Sequence, residues 1–124
     1  HPTTASSLKA VSRYITKNST VIDVGCGSGI LGIAAMKLGA VVDACDTDIV
    51  SVENSIKNAS LNSLEFNDIW EGSITKTNKK YDIVVANIVA DVLTFISKDL
   101  KNALNENGIL ILSGILDKYE TRVL

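Results

Sequence analysis

Little in this 124-residue chain could hold a metal ion or a cross-link. It has one histidine, His1, and two cysteines, Cys26 and Cys45, with no Cys-x-x-Cys pair. A zinc site and a disulfide scaffold are thereby set aside, and a reducing, cytoplasmic setting is expected, with both thiols free. No apolar run reaches the roughly 18 residues that a membrane helix needs. No charged-then-apolar secretory signal opens the chain. Charge of one sign is also scarce, since 12 basic side chains face 14 acidic ones, for a net charge of −2. A surface built for nucleic-acid phosphates needs a concentrated positive field, so DNA is not an expected partner. The one basic cluster, Lys76, Lys79 and Lys80, lies in a polar run that reads as a solvated loop. With 46% hydrophobic and 21% charged residues the composition is that of one globular domain, taken as residues 1–124.

One proline and eight glycines leave few breakers, so strands and helices can alternate. Leu8, Val11 and Ile15 share a helical face, with Thr3 or Thr4 as cap. Thr20–Val24 is a short β-branched strand, followed by a glycine loop from Gly25 to Gly29. Ile30–Leu38 is an apolar helix ended by Gly39. Val41–Cys45 is the second strand. Asp48 caps a helix to about Ala59, with Ile49, Val52 and Ile56 facing inward. Leu64–Trp70 reads as the third strand and Tyr81–Ala86 as the fourth. Asp91–Leu104 is a helix, Asn107-Gly108 a turn, and Ile109–Leu112 the fifth strand. Tyr119–Leu124 resembles the start of a helix. Five apolar strands joined by helices predict a Rossmann-like, doubly wound parallel α/β sheet of order 3-2-1-4-5. Ligands bind such sheets beyond the carboxyl ends of the strands, where the order reverses.

The polar residues gather at those ends. In Asp23-Val24-Gly25-Cys26-Gly27-Ser28-Gly29 the alternate glycines allow a sharp turn and close approach of a ligand to the main chain. A dinucleotide fingerprint would place glycine at position 30, where this chain has Ile30, and no phosphate-binding Gly-Lys-Ser/Thr follows. Cys26 is expected to fill space, having no nearby base to activate it. Asp46, roughly 20 residues beyond the first loop glycine, can accept two bonds from ribose hydroxyls. Asp48 suits a helix cap better. Asp23 lies in an otherwise apolar strand, where it either braces the loop or meets a ligand ammonium. Asn87, at the tip of the fourth strand, offers an amide oxygen to an incoming amine.

Taken together, these residues resemble the class I S-adenosylmethionine-dependent methyltransferases. Three segments narrow the resemblance: His1-Pro2-Thr3-Thr4-Ala5, the run from Val21 to Leu31, and Val85-Ala86-Asn87-Ile88. With Leu112-Ser113-Gly114-Ile115-Leu116 they are similar to the family that methylates the eleventh protein of the large ribosomal subunit. The resemblance implies a cytoplasmic N-methyltransferase using S-adenosyl-L-methionine on lysine side chains and the N-terminal amine of a ribosomal protein. It implies cofactor contacts at Thr4, Gly25, Asp46 and Asn87, to which the reading of the loop itself adds Asp23 and Gly27 as candidates. Asn87 and the carbonyl of Ile88 would orient the amine. Relative to the family pattern the chain looks like a central fragment, lacking the docking domain and the final strands. An exposed fifth strand would then favour self-association. Competing expectations are another amine methylase, a nicotinamide-dependent oxidoreductase, and a non-catalytic nucleotide-binding module.

Overall fold

The computed structural model describes residues 8–9, 11–87, 97–113 and 122–123. A first helix, α1 (residues 8–9 and 11–14), buries Val11 completely and leads to β1, Thr20–Val24. Then follow α2 (Ile30–Lys37), β2 (Val41–Asp46), α3 (Ile49–Leu61), β3 (Asp68–Glu71), a 3-10 turn (Ile74–Lys76) and β4 (Tyr81–Asn87). Residues 97–102 form α4, ahead of β5 (Leu104–Ser113) and β6 (Arg122–Val123). The sheet order is β3-β2-β1-β4-β5-β6. The first five strands run parallel, in the predicted order, and the reversal falls between β1 and β4. The strand residues are mostly β-branched and apolar, as burial on both sheet faces requires. Val21, Val42, Ile83, Val85 and Ile111 pack on one face with Val11, Leu31 and Ala59. Ile22, Val24, Val84, Ala86, Leu110 and Leu112 pack on the other with Leu100 and Ala103.

Several boundaries differ from expectation, each for a local reason. β3 begins at Asp68, not Leu64, because the chain first closes off α3: Leu64 N–H donates to Ala59 O at 2.9 Å and Phe66 turns into the core. Asn107-Gly108 is not a turn ahead of β5 but lies within it. Tyr81 pairs with Leu104 and Ile83 with Ile109, so the strand bulges between them, with Asn107 at φ 66°. The C-terminal residues expected to start a helix include β6, antiparallel to β5, with Leu110 opposite Val123 and Ile111 opposite Arg122. The outer edge of β5 is therefore partly paired. The cap expected at Thr3 or Thr4 and the helix expected at 91–96 lie outside the described residues.

A buried carboxylate pins three elements below the sheet's central strands. Asp43, 2% exposed, accepts the Tyr81 hydroxyl at 2.6 Å and the Asn67 side-chain amide at 2.9 Å. Lys79 reaches the same carboxylate at 3.3 Å, but its side chain is 55% exposed and adds little. Burial and the neighbouring Asp43 push the Tyr81 hydroxyl above its usual range, so it stays a donor. Tyr81→Phe is expected to lower stability by about 1.5–3 kcal/mol, the worth of a hydrogen bond to a charged group. Asp43→Ala should lower it further, since it strands the tyrosine hydroxyl in the interior. Urea unfolding of both variants measures this, and a phenylalanine variant as stable as the wild type would show that the bond contributes nothing.

Candidate functional site

The register brings three strand ends to one level. Val24, the last residue of β1, pairs with Cys45 on one side and with Ala86 on the other. The next residues are Gly25, Asp46 and Asn87, so the glycine loop lies between the two polar tips. Gly25 and Cys26 donate their N–H groups to Cys45 O at 2.8 and 3.1 Å, which starts the loop as an extension of the sheet. Asp46 then spans two backbone amides. One carboxylate oxygen accepts from Gly27 N–H at 3.0 Å and the other from Asp48 N–H at 2.9 Å. Each oxygen keeps a second acceptor site. Asp48 caps α3, accepting from Val50 N–H at 2.9 Å, as its spacing predicted.

Gly27 has φ +56°, and a Cβ built there would meet nothing within 4 Å. Among the described residues packing does not demand the missing side chain, so the position faces open space. Gly29 differs, because a Cβ there would come to 3.0 Å of the Ser55 side chain. At Gly32 the limit is again packing, since a Cβ would stand 2.8 Å from Phe66. That closeness lets Gly32 N–H reach Asp23 at 3.2 Å.

Asp23 is 1% exposed, and its second oxygen, Oδ1, is buried with no hydrogen-bond partner among the described residues. Desolvation, opposed by the Gly32 bond and aided by the charge of Asp46, raises its pKa from 3.8 to about 7. Of the two roles read for Asp23, bracing therefore uses one oxygen, on α2 and not on the loop. The other meets no donor among the described residues. Cys26 and Cys45 are free and buried. Burial pushes their thiols up to about 11 and about 12, so neither is a nucleophile near neutral pH.

Other expectations at the site fare unevenly. Asn87 ends β4, paired with Ser113. Thr4 and Ile88 lie outside the described residues, as does the Asn87 side chain. The inner face of α3 is Val52, Ser55 and Ala59, while Ile49 and Ile56 are 45% and 48% exposed. Small residues face inward because α3 crosses close to the loop. Ser55 donates to Gly27 O at 2.9 Å and Asn58 to Ser28 O at 2.8 Å. Both contacts were missed from sequence, where only the Ser55–Ala59 spacing beside Val52 hinted at a close approach.

Comparisons with known proteins identify the family and the fold. A family profile described as "Ribosomal protein L11 methyltransferase (PrmA)" matches residues 1–124. A curated ribosomal protein L11 methyltransferase from a Nitratiruptor species is 57% identical over 123 residues, 99% of this chain and 44% of that protein. The chain thus spans less than half the length of that relative. A crystal structure of ribosomal protein L11 methylase from Lactobacillus delbrueckii subsp. bulgaricus superposes with a TM-score of 0.87 at 40% identity, covering 93% of this chain and 61% of that one. An S-adenosylmethionine-dependent methyltransferase from Thiobacillus denitrificans, solved with S-adenosyl-L-homocysteine, gives a TM-score of 0.70 at 19% identity over 86% of this chain and 47% of that one, a likeness of fold alone.

The raised pKa of Asp23 fixes the sign of a pH effect. A carboxyl that holds its proton more tightly when folded contributes stability that is fully present below 3.8 and is lost as pH rises through about 7. Asp23 should therefore contribute a melting temperature that falls progressively from about pH 4 to about pH 7, and Asp23→Asn should remove that contribution. Calorimetric melting at several pH values measures it, and equal slopes in the two proteins would remove Asp23 as the cause.

Proposed function

This chain belongs to the ribosomal protein L11 methyltransferase family, and we propose that residues 1–124 form one S-adenosyl-L-methionine-binding unit of an N-methyltransferase. Its substrate in this reading is ribosomal protein L11, methylated at lysine side chains and the N-terminal amine, in the cytoplasm. Among the described residues no helix is long and apolar enough to cross a membrane. The observation that carries the reading is the pairing of an open Gly27 with the unpartnered Oδ1 of Asp23, beside the free acceptor sites of Asp46. A nicotinamide-dependent oxidation is displaced by the family membership.

The residues fit the cofactor in type. Asp46 would accept the vicinal ribose hydroxyls while its carboxylate still holds the loop and the α3 cap. Gly25 and Gly27 would leave room for the methionine moiety. Asp23 would receive its ammonium, directly or through water, and shed its own proton as it does so. Thr4 would close the pocket from the amino side. When bound, the sulfonium supplies an activated methyl group and a neutral leaving group. What remains for the protein is positioning. The Asn87 side-chain oxygen and the Ile88 carbonyl would each accept an N–H of the neutral amine, aiming its lone pair at the methyl carbon. The substrate amine, near pKa 10.4 in water, loses its proton more readily where it is partly desolvated.

Titration calorimetry with S-adenosylhomocysteine tests the reading. Asp46→Ala should weaken binding by about 1.5–3 kcal/mol. An analogue lacking the ribose hydroxyls should bind the wild type less tightly, yet bind the alanine variant no differently from S-adenosylhomocysteine. Unchanged affinity in the variant would refute the ribose assignment.

Binding should also strengthen with pH. The ammonium prefers the ionised Asp23, whose pKa in the free protein is about 7, so affinity should rise toward pH 7 and level off above it. Its slope below that point should be at most about tenfold per pH unit. Asp23→Asn should remove the dependence, and a slope that persists in it would refute the ammonium assignment.

A further inference from the structure

We propose that Ser55 and Asn58 of α3 are positioning residues for the cofactor, clamping the glycine loop in the one shape that admits it. The inference rests on the loop being the S-adenosylmethionine site. A segment with glycine at every second position has too much backbone freedom to keep one conformation unaided. The β2 side restrains only its N–H groups, through Cys45 O on Gly25 and Cys26 and through Asp46 on Gly27. Within the loop Gly29 N–H closes a turn onto Cys26 O at 2.8 Å, and the next two carbonyls are held from α3. Ser55 Oγ donates to Gly27 O at 2.9 Å, and Asn58 Nδ2 donates to Ser28 O at 2.8 Å. Three residues apart, the two donors share one face of α3 and meet consecutive carbonyls of the loop.

Ser55 is fully buried, and its Oγ also lies 3.3 Å from Cys26 Sγ. A hydroxyl has one proton, and a carbonyl oxygen is the stronger acceptor, so the bond to Gly27 O is the one that orients it. Peptide planes are rigid and trans. Drawing the Gly27 carbonyl toward α3 therefore turns the Ser28 N–H away from the helix. α3 also presses on the loop sterically, since the Ser55 Cα stands 3.1 Å from a Cβ built at Gly29, whereas Gly27 has open space. One side of the loop is thus packed and tethered, and the other is kept free. The length of α3 matters to the site only through this face, because Asp48 anchors its start to Asp46 and Ser55 and Asn58 lie further along the same helix.

The test pairs a binding measurement with a signature of loop shape. Asn58→Ala changes a half-buried side chain and leaves the core intact, while Ser55→Ala removes the buried donor. Asn62→Ala, which deletes only a bond from Asn62 to Asn58 O at the end of the same helix, is the control. Nuclear magnetic resonance of the ligand-free chain should show the amide signals of Gly27, Ser28 and Gly29 displaced in Ser55→Ala and Asn58→Ala and unmoved in Asn62→Ala. Titration with S-adenosylhomocysteine should show each of the first two weakened about fivefold, the worth of one neutral hydrogen bond. If Ser55→Ala does not fold, Asn58→Ala decides alone. Unmoved amide signals in Asn58→Ala would overturn the clamp. Displaced signals with unchanged affinity would overturn its link to the cofactor, and equal weakening in Asn62→Ala would assign the effect to the helix as a whole. A wild-type chain that binds no S-adenosylhomocysteine would instead overturn the functional reading, with the clamp still judged by the amide signals.

Discussion

The candidate site hangs from one constraint, the parallel register that pairs Val24 with both Cys45 and Ala86. Because Val24, Cys45 and Ala86 lie at one level, the next backbone positions, Gly25, Asp46 and Asn87, stand side by side at the carboxyl edge of the sheet. Those residues are a glycine, a carboxylate and an asparagine. Shifting β2 by a single residue would move Asp46 to the other face of the sheet and break its bond to Gly27 N–H. The apolar alternation of β1, β2 and β4 on the two faces of the sheet sets that register, so core packing and site geometry have one cause.

Within the frame two carboxylates are put to opposite uses. Asp46 is half-buried, and both of its oxygens already accept backbone N–H groups, so it behaves as a fixed acceptor. Asp23 is deeply buried with one oxygen bonded and one bare, and desolvation raises its affinity for a proton. An isolated buried carboxylate is expensive to keep charged, and proteins rarely leave one half-satisfied. In the proposed reading a cationic ligand would resolve the imbalance, with the open glycine leaving it room. Asp43, equally buried but fully bonded on the neighbouring strand, shows what a purely structural carboxylate looks like in the same fold.

Helix α3 has the least expected role. Its apolar residues Ile49, Val50, Ile56 and Leu61 are exposed, and it turns Ser55 and Asn58 toward the loop. A helix chosen for core burial alone would present the larger residues inward. Small residues inward allow the close crossing, and that crossing also excludes any side chain at Gly29.

Much was legible in the sequence because it depends on short-range patterns. The alternation of β-branched runs with apolar or amphipathic helices predicts a parallel α/β sheet and its order. Asp48 reads as a cap from its spacing, and the glycine loop, Asp46 and Asn87 read as strand tips. What the sequence did not determine involves groups that only long-range packing brings together. The bulge in β5 answers to a register mismatch with β4, and β6 is a strand only because β5 offers it an edge. The inward face of α3 is set by how near the loop lies, a distance no periodicity encodes. The bare Oδ1 of Asp23 follows from complete desolvation without a second donor, which depends on every element packed around β1 and hence on the tertiary structure alone.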